Sequence, residues 1–144
     1  MLIKLVEIIH RNDIQALYHA DDKLVYTFLD SAYGEIFGVY DFVNGKITCC
    51  ITWSCHVPER CRWQVLQYIK LANSKQKNGR LYLDRQTQCL VYGADFDTNK
   101  GLSGFEVFCM SGYNVFTSNL QSLYRIIQCS PMKGDSPYPA RDDN

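Results

Sequence analysis

A chain of 144 residues, 47% apolar and 21% charged, holds one domain of ordinary globular composition, which excludes disorder of the whole chain. Its 15 basic and 15 acidic residues cancel, and no Lys/Arg stripe develops, which argues against dedicated nucleic-acid binding. Lys4 and Glu7 interrupt the apolar start, and no stretch reaches the ~18–20 apolar residues of a membrane span, so neither signal peptide nor membrane contact is expected and the predicted location is cytoplasmic.

Leu2, Leu5, Val6 and Ile9 recur at helical spacing and predict a short amphipathic helix over 2–11, ended by Asn12-Asp13. Ile14 to Ala20 suits either an extended link or a short edge strand. From Leu24 to Leu29 the chain turns β-branched and aromatic, and Asp30 to Gly34 supplies turn chemistry. Two further strands, 35–43 and 46–55, flank Asn44-Gly45, a pair suited to the positive φ angles of a type I′ hairpin turn. The second of them alternates, with Ile47, Cys49, Ile51, Trp53 and Cys55 on one face and Thr48, Cys50, Thr52 and Ser54 on the other.

Pro58 and Glu59 suit the first turn of a second helix, whose stripe Cys61, Val65, Leu66, Ile69 and Ala72 runs on to Ser74. A second hairpin follows over 80–84 and 89–96. Ser103 and Glu106 have the spacing of a capping box, and Phe105, Phe108, Cys109, Gly112, Val115, Phe116, Leu120, Leu123 and Ile127 then continue the most regular helical stripe in the chain. Gly112 within that stripe predicts a close approach to the sheet. The sum is an α+β domain over 1–129, an antiparallel five-stranded sheet with three helices in the order α-β-β-β-α-β-β-α. Pro131, Pro137 and Pro139 mark a flexible tail over 130–144.

The stretch from Pro58 to Phe96 carries a resemblance. Pro58-Glu59, Val65-Leu66, Leu71-Ala-Asn73, Gly79-Arg-Leu-Tyr-Leu-Asp84 and Leu90-Val-Tyr92 resemble the motifs of the YbjN-like family, and the element order is similar over roughly 2–128. The resemblance implies a type III secretion chaperone-like fold and a non-enzymatic protein that recognises other proteins, often as a homodimer. The family carries the designation of sensory transduction regulator.

Chemistry is sparse. Seven cysteines, an odd count with no secretory signal, read as reduced thiols, and alternation sends Cys50 and Cys55 to opposite faces, so no metal site is expected. His10, His19 and His56 fall in different elements, and no nucleophile elbow, phosphate loop, HExxH or EF-hand pattern occurs, so neither catalysis nor a cofactor is predicted. Asp95 and Asp97 have the chemistry of an acid–base pair, but aspartates solvating a turn are the favoured reading. Thr48, Cys50, Thr52 and Ser54, with Tyr82 from the second hairpin, form the candidate partner-binding surface; a plain water-facing surface is its alternative. Three functions fit: a chaperone-like or regulatory protein-binding module, an immunity-type protein neutralising a toxin, and a small-molecule binder or unrecognised enzyme.

Overall fold

The computed structural model describes residues 1–129 and bears out the element order with one addition. Helix α1 spans Leu2–Arg11 and buries Leu2, Leu5, Ile8 and Ile9. Asn12 ends it by donating its side-chain amide to the Ile8 carbonyl at 2.8 Å. The strands are β1 (Gln15–His19), β2 (Leu24–Ser31), β3 (Gly34–Val43), β4 (Lys46–His56), β5 (Arg80–Leu83) and β6 (Cys89–Asp97). Helix α2 spans Arg62–Asn73 after a 3₁₀ turn at Glu59–Cys61, and α3 spans Phe105–Cys129. The tail expected over 130–144 lies outside the described residues.

The sheet therefore has six strands, not five, in the spatial order β1-β2-β3-β4-β6-β5, every neighbouring pair antiparallel. The added strand is β1, whose exposed residues show no alternation because it forms the sheet edge and has only β2 beside it. Asn44 and Gly45 adopt φ of 54° and 78°, the left-handed pair the β3–β4 turn requires.

All three helices lie against one face. Their core is built from Val25, Ile36, Tyr40, Ile47, Ile51, Trp53, Leu81, Leu90 and Tyr92 of the sheet, with Leu5, Ile9, Val65, Phe108, Phe116 and Leu123 of the helices. Gly112 is where α3 comes nearest: a Cβ built there would lie 2.5 Å from Ile51 Cδ1 and 2.9 Å from Tyr92 Cδ2. Burial here removes apolar area from water at roughly 25 cal/mol per Å², the term that holds the layers together. The capping box expected at Ser103 and Glu106 is not formed. Glu106 instead accepts from Arg11 at 2.7 Å, tying the start of α3 to the end of α1.

Both sheet edges are partly blocked by side chains. Asn73, the last residue of α2, accepts from the Leu81 amide at 2.8 Å and donates to the Leu81 carbonyl at 2.9 Å, imitating one residue of a neighbouring strand on β5. At the other edge the His10 ring lies 3.0 Å from the Ala16 carbonyl of β1. Unpaired strand edges invite chain-to-chain pairing, and such plugs suppress it. Asn73→Ala is expected to lower the unfolding free energy by about 1–3 kcal/mol, since it strips two bonds from part-buried backbone groups. A urea titration checks this, and an unchanged midpoint would show that water replaces the amide at no cost.

Candidate functional site

With every helix on one side, the opposite face of the sheet has no covering layer among the described residues. The strand register arranges its side chains in rows that cross the strands. One row runs Leu17, Tyr26, Val39, Cys50, Gly93 and Arg80; the next runs Gln15, Phe28, Phe37, Thr52, Val91 and Tyr82. Together these rows make a mainly apolar band across all six strands. Leu17 is 66% exposed, Tyr26 44%, Phe37 43% and Tyr82 46%, values far above what a covered sheet face shows. Val91 is only 5% exposed yet stands apart from the main core, because the band's own side chains cover it.

Acidic residues border the band on both sides. Asp41 and Asp95 occupy the row beyond Tyr26 and Cys50, with Thr48 between them, and Asp30 and Glu35 pair in the row beyond Phe28 and Phe37. None of these four carboxylates lies within ion-pair distance of a described cation; the ion pairs among the described residues are Arg11–Glu106 and His19–Asp22.

The five residues singled out from sequence share this face. Thr48, Cys50 and Ser54 are exposed and Thr52 is half-buried, while Tyr82 comes across β6 to stand over Gly93, whose added Cβ would lie 3.5 Å from the Tyr82 ring. Burial pushes the Tyr82 phenol up, and the neighbouring Cys50 thiol adds to the shift. The larger apolar contributors, Leu17, Tyr26, Phe28, Phe37 and Val39, were missed by sequence reasoning. Their signal was present: Leu24 to Leu29 is apolar on both strand faces, whereas a strand with one face in water alternates.

The fold has a solved counterpart. The crystal structure of YbjN, a proposed transcription regulator from E. coli, superposes with a TM-score of 0.54 at 12% identity, covering 88% of this chain and 88% of that one. This chain has a YbjN-like fold. No protein-family model matches it, and no curated protein does.

Two residues of the YbjN-like motifs have structural duties here. Asn73 plugs the β5 edge, and Asp84 accepts from both the amide and the hydroxyl of Thr87 at 2.8 Å, closing the β5–β6 turn. Those bonds hold the Asp84 carboxyl below its ordinary range. The histidines are likewise engaged locally: His10 at Ala16, His19 with Asp22 at 3.0 Å, and His56 at the Thr87 carbonyl at 2.9 Å. Asp95 and Asp97 both point to the open face from β6, Asp97 also capping the following turn by accepting from the Asn99 amide. A groove of about 410 Å³ beside the start of α3 is lined by Phe96, Val107, Phe108 and Ser111 and gathers no acid–base pair. No helix among the described residues is long and apolar enough to cross a membrane, and no group of three or more His, Cys, Asp or Glu among them is placed to hold a metal.

Burial shifts the thiols of Cys49, Cys55, Cys61 and Cys109 away from reactivity. Cys50 is exposed on the open face and Cys55 lies half-buried on the helix side, as the alternation required. Burial pushes Cys49 and Cys109 up to about 12 from 9.0, and Tyr113 up to about 12 from 10.0. A thiol nucleophile needs the opposite shift. These raised values make the fold alkali-sensitive. Below pH 9 both states hold the protons; between pH 9 and 12 the unfolded chain releases them first, so the folded state binds more protons and stability falls as pH rises. The unfolding free energy is expected to drop as pH rises from about 9 towards 12, by up to roughly 1.4 kcal/mol per pH unit for each group in its window. Urea titrations across that range check the slope, and Cys49→Ala should flatten it.

Proposed function

We propose that this chain is a non-enzymatic, cytoplasmic protein-binding module, chaperone-like or regulatory, that takes a protein partner on the open face of its sheet. The observation that supports this most directly is the uncovered apolar band, with Leu17, Tyr26, Phe37 and Tyr82 all at least 43% exposed. Exposed apolar patches rimmed by polar residues mark interaction sites, and Tyr and Phe give large contact area at low entropic cost. Cys50 and Thr52 form part of the floor of that surface, and Thr48 and Ser54 lie on its two opposite margins. The blocked edges favour face contact over strand addition. A regulatory role like the one proposed for YbjN would here run through protein contact, because the flanking carboxylates repel phosphates.

The test is affinity capture from the native host with wild-type bait and with a Tyr26→Ser/Phe37→Ser/Tyr82→Ser bait. All three side chains are substantially exposed, so the variant is expected to fold. A protein retained by the wild type and lost by the variant supports the reading. Equal capture by both moves the partner to another surface and sinks it.

A further inference from the structure

Resting on the open-face reading, the geometry points to the partner's chemistry: we infer that the face receives a basic amphipathic α-helix lying across the strands. The shape of the band carries the first half of the argument. Five inter-strand gaps at ~4.8 Å span about 24 Å, which a helix of about 16 residues covers at 1.5 Å per residue. The band is two rows deep, so its rows are separated by two residues of strand, about 7 Å. That suits a single apolar helix stripe of the i, i+3, i+4, i+7 kind, with a whole helix about 10 Å wide seated above it.

Charge carries the second half. Asp41 and Asp95 stand along one long side of the band, and Asp30 and Glu35 along the other. A helix centred on the apolar rows brings the residues flanking its stripe over both rims at once. Lys or Arg there meets four carboxylates that lack ion-pair partners among the described residues. The Lys and Arg side chains that the register places on this face are Lys46, opposite Asp97, and Arg80, at the β5 edge, neither of which lies along the two rims; His19, at the β1 end of the Asp41 row, is engaged by Asp22 at 3.0 Å.

The same features disfavour a second copy of the chain as occupant. A two-fold dimer through this face would press acidic rim against acidic rim.

The probes are fluorescent 18-residue designed peptides: a leucine stripe with lysine elsewhere, the same stripe with glutamate elsewhere, and a scrambled lysine version without a stripe. Anisotropy titrations would compare the wild-type chain, the Tyr26→Ser/Phe37→Ser variant, and an Asp30→Asn/Glu35→Gln/Asp41→Asn/Asp95→Asn variant checked for fold by circular dichroism. Expected is micromolar binding of the striped lysine peptide alone, weakened about tenfold or more by either variant and by added salt. Equal binding of the glutamate peptide, unchanged affinity in the neutralised variant, equal binding of the scrambled peptide, or no binding at all overturns the inference. So does a concentration-dependent dimer in light scattering that the Tyr26→Ser/Phe37→Ser variant abolishes. The host capture experiment separates the two levels: a partner lost with the apolar side chains but indifferent to the carboxylates leaves the open-face reading standing and removes the basic helix.

Discussion

Trp53→Ala is expected to lower the unfolding free energy by about 3–5 kcal/mol, the range for deleting a large aromatic from a close-packed core. Trp53 is fully buried on the helix side of β4. Its indole N–H donates to the Tyr33 carbonyl at 3.0 Å, so the side chain both fills the core and holds the β2–β3 turn. Tyr33 in turn meets Tyr124 of α3 with ring centroids 5.3 Å apart, which extends the damage to the docking of that helix. Against the 5–15 kcal/mol of a typical domain, such a loss leaves a large fraction of molecules prone to unfold. Trp63 is 68% exposed, so its indole emission is that of a hydrated ring, and a Trp63→Phe background isolates Trp53 as the reporter for other core variants. Guanidinium titration followed by circular dichroism measures the Trp53→Ala effect. A loss under 1 kcal/mol would mean that the core collapses into the vacated space.

Thr27→Val and Tyr113→Phe are each expected to cost about 1–3 kcal/mol, while the double variant costs far less than their sum. The two hydroxyls sit 2.5 Å apart between β2 and α3, with Thr27 3% exposed and Tyr113 1%. Removing one strands the other in a site water does not reach. Removing both leaves two apolar groups of nearly the original shape. Gly38 makes room for this pair, since a Cβ there would lie 2.7 Å from Thr27 Oγ1. A double-mutant cycle by urea titration measures the coupling, and additive losses would show that each hydroxyl finds another partner.

Thr27 and Tyr113 are 86 positions apart, and nothing local in the chain announces their bond. The same holds for Glu106. Its spacing from Ser103 suits a capping box, yet Arg11, 95 positions earlier, takes its carboxylate once α1 and α3 lie side by side. Local rules name the groups able to bond; packing selects among them.

The sequence by itself determined the helices, the two hairpins and their order, because each rests on contacts between residues close in the chain. The α3 stripe with Gly112 at its nearest approach, and the Asn44-Gly45 turn, are periodicity and backbone sterics written directly in residue types. The sequence also assigned Thr48, Cys50, Thr52 and Ser54 to one strand face, since alternation is a property of the strand alone. Only the tertiary structure decided that β1 joins the sheet and that no helix among the described residues covers that face. The apolar band and its acidic rims likewise exist only in register, where residues from six strands are aligned by hydrogen bonds between distant parts of the chain. A surface made of rows across strands has no period along the sequence, so it becomes legible only when the strands are laid side by side.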